Sequence, residues 1–62
     1  MQEFHVFNGY NWLSDDEKSW IPIFNGAASF TSAELARDIG ERARTESMGD
    51  FPIYVFQVTT FK

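Results

Sequence analysis

Residues 30–49 (FTSAELARDIGERARTESMG) carry the one clear helical pattern of the chain. Thr31 and Glu34 have the spacing of a capping box, in which the threonine hydroxyl accepts a hydrogen bond from the Glu34 N–H. Apolar residues then recur at helical intervals, and Gly49 is placed to end the helix. We therefore predict a single helix at about 32–47. A fold with one short helix must bury its remaining apolar residues on strands.

Three other segments are rich in β-branched and aromatic residues, which is typical of strands. They are residues 2–7 (QEFHVF), residues 19–24 (SWIPIF) and about residues 53–61 (IYVFQVTTF). Pro22 has no N–H to donate to a sheet, so the second of these strands is expected at an edge or with a break.

Two different turns could connect the first two predicted strands. Asn8-Gly9 would close a tight hairpin, or residues 14–17 would form the turn, since they repeat the capping-box spacing. We favour the second solution, because the tight hairpin leaves residues 12–13 on a very short strand that runs into four polar residues. Asn8-Gly9 then bends or ends the first strand, and Asn25-Gly26 ends the second.

The order strand, strand, helix, strand specifies a compact topology. We predict an α+β fold of the β-β-α-β type, in which a three-stranded antiparallel sheet with strand order 2-1-3 carries the helix on one face. The 62 residues form a single domain, 1–62. Because the chain has no cysteine, neither a disulfide nor a thiolate metal site reinforces it.

The aromatic content exceeds what one helix covers. The chain has eleven Phe, Tyr and Trp residues, whereas the predicted helix turns inward only a leucine, an isoleucine, alanines and a glycine. Side chains alternate along a strand. His5 and Phe7 are therefore expected beside Tyr54 and Phe56, on the sheet face away from the helix. Exposed rings in such a patch usually mark an interface.

The sequence leaves three possibilities for what covers that face. The long loop, with Tyr10, Trp12 and Leu13, would fold back over it and complete the core. A second copy of the chain would cover it in a homo-oligomer. A foreign protein would bind it.

The charge of the chain restricts its partners. Nine acids and five bases give a net charge of −4, which repels a phosphate backbone and argues against direct nucleic-acid binding. It suits a protein partner with a basic surface. The densest acidic run is Asp15, Asp16 and Glu17, and it lacks the ligand spacing and glycine of a calcium loop. We predict no metal site. The run is interpreted either as a solvated turn or as an acidic docking element, and its three residues are included among the candidate partner-binding residues.

No residue pattern indicates catalysis. His5 is the single histidine, and it has neither a cysteine nor a serine motif with which to form a catalytic arrangement. We predict no catalytic residue and no cofactor, so the chain is not expected to be an enzyme. With no signal peptide or apolar membrane segment in the sequence, a cytoplasmic location is expected.

The leading hypothesis is a small acidic protein-binding module without enzymatic activity. In size, acidity and lack of catalytic groups the chain resembles the small accessory and inhibitor proteins that phages and mobile elements encode. It would block a basic, nucleic-acid-handling protein. The alternative is a structural subunit that forms homo-oligomers through the aromatic sheet face. The predicted partner-binding residues are His5, Phe7, Tyr10, Trp12, Asp15, Asp16, Glu17, Tyr54 and Phe56.

Overall fold

A computed structural model describes residues 2–59 and shows an α+β fold. One helix packs on a four-stranded antiparallel sheet with strand order β3-β2-β1-β4. The elements are β1 (Gln2–Phe7), β2 (Trp12–Leu13), β3 (Trp20–Ile21), a 3₁₀ turn (Phe24–Gly26), α1 (Ala33–Glu46) and β4 (Tyr54–Thr59). The predicted class, the single helix and the antiparallel sheet are confirmed. The predicted three strands and the order 2-1-3 are wrong, because the sheet contains one strand more.

The additional strand arises because both competing turns form. Residues 8–11 make the tight hairpin that joins β1 to β2, and residues 14–19 make the turn that joins β2 to β3. The Asn8 side-chain oxygen accepts hydrogen bonds from the N–H groups of Tyr10, at 2.9 Å, and Asn11, at 2.7 Å. Gly9 has a φ of 99°, which glycine adopts without steric cost. The preference against the tight hairpin was therefore wrong.

The two-residue strand β2 is stable because its second residue is a central part of the core. The Leu13 side chain is completely buried, and its carbonyl accepts a hydrogen bond from the Ala28 N–H at 2.8 Å. Ser14 then donates its N–H to the Ser19 carbonyl at 2.8 Å, which closes the next turn at once. The four polar residues 14–17, which argued against a strand at residues 12–13, form the turn that follows this strand.

The second predicted strand, residues 19–24, is much shorter in the structure. β3 ends at Ile21, directly before Pro22, and residues 24–26 form the 3₁₀ turn. Asn25-Gly26, which was expected to end this strand, lies beyond it in the 3₁₀ turn, and Gly9 is the only glycine with a positive φ within residues 2–59. The chain then returns to the sheet.

The return segment of residues 27–30 pairs first with the end of β2, where Ala27 lies opposite Ser14, and then with β1, where Phe30 lies opposite Phe4. Phe4 and Phe30 exchange two N–H···O bonds of 2.9 Å. This pairing explains why the helix begins one residue later than its sequence pattern indicates. Ser32, whose backbone is still extended, is the N-cap in place of Thr31, and its hydroxyl accepts the Leu35 N–H at 3.3 Å.

The inward stripe of α1 consists of small residues. Ala36, Gly40 and Ala43 are buried, whereas Leu35, which we expected to face inward, is 46% exposed. The buried hydrophobic core consists of Val6, Leu13, Ala28, Phe30, Ala36 and Ala43, with Phe4, Trp20, Ile39, Ile53 and Val55 packed against it. The small residues bring the helix backbone close to β1.

Gly40 is the point of closest approach between helix and sheet. A Cβ atom built on Gly40 would lie 2.7 Å from Cγ1 of Val6 and 3.2 Å from Cγ2 of Ile53. Val6 is fully buried and has no space into which to move. The glycine is therefore explained by packing against the sheet.

Gly40→Ala is expected to destabilise the protein although alanine favours helix. The gain in helix propensity is about 1 kcal/mol, whereas overpacking a core costs about 1–3 kcal/mol. We expect a net loss of up to about 2 kcal/mol in the free energy of unfolding, measured by urea titration. In a double-mutant cycle, Val6→Ala should offset part of this loss, with a coupling of at least about 0.5 kcal/mol. Additive effects would contradict the proposed contact.

The last strand is long and regular. β4 pairs antiparallel with β1 from Gln2↔Thr59 to Phe7↔Tyr54. It begins at Tyr54, one residue later than predicted, and the predicted continuation at residues 60–61 lies outside the described part of the chain. None of the helices in residues 2–59 has the length and apolar character needed to cross a membrane.

Candidate functional site

The sheet face opposite α1 is lined by aromatic side chains. Cross-strand pairing sets His5 beside Phe56 and Phe7 beside both Tyr54 and Trp12, and directly paired residues point to the same side of a sheet. Val6, one position away, points to α1 and lies against Gly40. We define the aromatic face as His5, Phe7, Trp12, Phe24, Tyr54 and Phe56.

Trp12 is the centre of the ring cluster. Its ring centroid lies 4.6 Å from that of Phe7, 4.8 Å from that of Phe24 and 5.8 Å from that of Phe56. The rings are tilted or edge-to-face, which is the arrangement that aromatic pairs prefer. Trp12 therefore supports three other rings of this face.

Two rings of this cluster, and Tyr54 opposite Phe7, are open to solvent. Phe24 is 44% exposed, Phe56 46% and Tyr54 48%. Three rings of one sheet face at this level of exposure are more than the isolated apolar residues of an ordinary surface. Phe24 was missing from the predicted site residues, because the strand assumed for residues 19–24 gave no reason to place it here.

The hairpin loop does not cover the aromatic face. Tyr10 is at the tip of the β1–β2 hairpin and is 86% exposed, whereas Trp12 is half-buried within the cluster. Instead of folding back over the sheet, the loop becomes a strand that widens it. One of the three expected coverings is therefore absent from the described part of the chain, and the face remains open.

His5 is buried beneath the rings of Phe24 and Trp12. The residue is 5% exposed, its Nδ1 lies 2.8 Å from the Ala28 carbonyl oxygen, and the Phe24 ring packs edge-to-face against it with centroids 4.7 Å apart. A carbonyl only accepts hydrogen bonds, so Nδ1 is the donor in this contact. Nε2 lies 3.8 Å from Oε2 of Glu3 and has no hydrogen-bond partner within residues 2–59.

The acidic run forms the exposed turn between β2 and β3. The Asp16 carboxylate accepts hydrogen bonds from the N–H groups of Ser19, at 2.9 Å, and Lys18, at 2.8 Å, and from the Ser19 hydroxyl at 3.0 Å. These bonds, those of Ser19 first, hold the pKa of Asp16 below its ordinary value. Asp16 therefore maintains the turn, while Asp15 and Glu17 are exposed to solvent.

The acidic turn and the aromatic face occupy different parts of the surface. The turn lies beside α1, where it borders a hollow of about 170 Å³ lined by Asp16, Glu17, Lys18, Ile39, Arg42 and Glu46. Pockets for small ligands are typically about 300–1,000 Å³. Within residues 2–59, no group of three His, Asp or Glu side chains is arranged to hold a metal ion. The structure thus brings five predicted residues together, leaves Tyr10 at the hairpin tip, and separates the five from the predicted acids. The five are His5, Phe7, Trp12, Tyr54 and Phe56.

The aromatic face can offer aromatic contacts to a partner.

Comparison with protein-family models, with curated proteins and with solved structures found no match. Function is therefore inferred from the residues of this chain. The half-exposed rings are the feature with the clearest functional meaning, because apolar area left in water is costly unless a partner covers it.

Proposed function

We propose that the protein is a non-enzymatic protein-binding module and that the aromatic face is its contact surface. The observation that carries this proposal is the exposure of Phe24, Tyr54 and Phe56, which share the aromatic face and are each nearly half open. Two of them, Phe24 and Phe56, also pack against Trp12. Aromatic residues dominate the energy of many protein interfaces. Rings already held in place lose little conformational freedom on binding, which favours affinity.

The partner in this proposal has a basic surface. The net charge of −4 attracts such a surface over a distance and accelerates association. Asp15 and Glu17 are exposed and available for this attraction, whereas Asp16 is engaged in its turn. By covering a basic surface that handles nucleic acid, the module would act as an inhibitor.

The position of His5 supports a role in binding over a role in catalysis. A general base must reach the proton that it removes. The His5 ring is covered by Phe24 and hydrogen-bonded to the Ala28 carbonyl. It therefore positions the return segment against β1 and supports the rings above it.

Self-association through the same aromatic face is the second candidate. It is favoured by the absence of charge on the three half-exposed rings, which lets two copies meet there without like charges in contact. The two candidates differ in their response to salt. Added salt weakens the attraction of a basic partner, whereas it screens the repulsion between two copies of net charge −4.

A paired-variant capture experiment tests the proposal. Immobilised Tyr54→Ser/Phe56→Ser protein should retain specific partners at least about 30-fold less than wild type, because two contact rings are lost. The matched control is Leu35→Ser/Met48→Ser, which removes two exposed apolar side chains elsewhere. Quantitative mass spectrometry of proteins captured from cell lysate, at low and high salt, provides the measurement.

The pattern of capture decides the outcome. Proteins lost with the aromatic variant, kept with the control and released by salt support the proposal. Asp15→Asn/Glu17→Gln should weaken their capture at low salt, without disturbing the turn that Asp16 maintains. Equal capture by wild type and the aromatic variant would contradict the aromatic face as the contact surface.

A further inference from the structure

The outer edge of β4 carries hydrogen-bonding groups without partners among residues 2–59. β4 pairs with β1 on one side only and is the last strand in the sheet order. Phe4 exchanges both backbone bonds with Phe30, on the side of β1 away from β4. Backbone groups alternate in direction along a strand. The Phe4 partner Gln57, and Val55 two residues before it, therefore point their N–H and C=O groups outward.

This edge lacks the usual protection against strand pairing. Natural edge strands are kept apart by proline, by charged residues, by bulges or by extreme shortness. β4 is six residues long, its sequence YVFQVT contains neither proline nor charge, and its register with β1 is continuous. The other edge, β3, is only two residues long and is followed by Pro22. β4 is therefore the edge of the sheet at which another strand can pair.

We propose that a second copy of this chain pairs antiparallel with β4, about a two-fold axis at Phe56. In this register Val55 of one copy faces Gln57 of the other, and the outward N–H and C=O groups of both are satisfied by each other. The contact is isologous, so the sheet closes at two copies and does not extend into a fibre. The product is one eight-stranded sheet.

The register also matches the side chains. Phe56 stands opposite Phe56 of the second copy at a site without direct hydrogen bonds, where opposed side chains come closest. Tyr54 stands opposite Val58 of the second copy, which is an aromatic and β-branched pair of the kind that favours strand association. All of these residues belong to one side of β4, the side of the aromatic face.

Charge favours a second copy at this edge over a basic protein. β4 carries no charged residue, so a basic segment would find no acid on it, and two copies would bring no like charges opposite each other. The net charge of −4 is carried on other parts of the chain. The dimer leaves both aromatic faces open on the same side of the sheet, so the inference goes beyond the proposed binding function and does not depend on it.

Analytical ultracentrifugation over a concentration series tests the edge directly. Wild type should shift from 7.2 kDa toward twice that mass, and added salt should promote the shift. Gln57→Pro, which removes an outward N–H without breaking a bond to β1, should remain at the monomer mass. Gln57→Ala removes the same exposed side chain but keeps the N–H, and should behave as wild type. Circular dichroism verifies the fold of each variant.

Cysteine cross-linking tests the register, since the natural chain contains no cysteine. At a non-hydrogen-bonded antiparallel pair the Cα atoms are about 4.5 Å apart, within the range of a disulfide. Phe56→Cys should therefore oxidise to a covalent dimer at least about tenfold faster than Phe24→Cys. The two positions have matching exposure, 46% and 44%, so thiol access is controlled.

Each alternative outcome overturns the inference. A wild type that stays monomeric at the highest attainable concentrations excludes the dimer. Equal cross-linking of Phe56→Cys and Phe24→Cys indicates face-to-face contact, and a dimer that survives in folded Gln57→Pro excludes the β4 edge. If Gln57→Pro does not fold, the comparison of the two cysteine variants decides. A monomeric wild type, or a dimer that survives in folded Gln57→Pro, leaves capture by the aromatic face unaffected, so the two proposals fail separately. Equal cross-linking would instead favour self-association through the aromatic face.

Discussion

Leu13→Ala is expected to lower the free energy of unfolding by about 2–5 kcal/mol, the usual cost of this change in a core. The Leu13 side chain has no solvent exposure and is one of the two largest fully buried side chains among residues 2–59. A domain of this length has a total stability of about 3–9 kcal/mol. The variant should therefore lose at least about 10 °C of melting temperature, which thermal circular dichroism measures.

Leu35→Ala is the matched control for this prediction. It removes the same side-chain atoms from a position that is 46% exposed on α1, and alanine has the higher helix propensity. Its effect should stay within about 0.5 kcal/mol. Similar losses for both variants would mean that β2 does not contribute the core contact described here.

Trp12→Ala is expected to lower the free energy of unfolding by about 2–4 kcal/mol. Replacing a core tryptophan by alanine typically costs about 3–5 kcal/mol, and Trp12 is only half-buried. The change removes the ring against which Phe7, Phe24 and Phe56 pack, so the aromatic face loses its support as well as its centre. Urea unfolding followed by the fluorescence of the remaining Trp20 measures the loss.

Tyr10→Ala is the control that tests whether the loss of stability is specific to the Trp12 ring or follows from removing any aromatic side chain of the hairpin. Tyr10 lies in the same hairpin two residues before Trp12 but is 86% exposed. Its replacement should change stability by less than about 0.5 kcal/mol. If Tyr10→Ala destabilised the protein as strongly as Trp12→Ala, the assignment of Trp12 as the supporting ring would be wrong.

Local signals in the sequence were sufficient for the long elements. The period of apolar residues identified α1 to within about one residue at each end, although the cap moved from Thr31 to Ser32. Alternation along β1 and β4 placed His5, Phe7, Tyr54 and Phe56 on one face. In these elements local propensity and tertiary packing agree, so the pattern is repeated often enough to be recognised.

The parts that could not be predicted depend on contacts between distant residues. β2 has two residues and therefore no alternation to detect, and it persists because Leu13 enters one layer and Trp12 the other. Phe24 joins the aromatic face because the 3₁₀ turn carries its ring over His5. Neither position follows from spacing along the chain, since each is set by a partner far away in sequence.

The pairing of β1 with β4 has a consequence for how the domain forms. The paired residues are separated by 47 to 57 positions, so the central strand finds its longest partner only after the hairpins and the helix have been made. Closing so large a loop costs entropy before the contacts compensate for it, which slows folding relative to a chain of local hairpins. On a ribosome, the hairpins and the helix would emerge first as an incomplete assembly, and the proposed contact surface would form only once β4 has followed them.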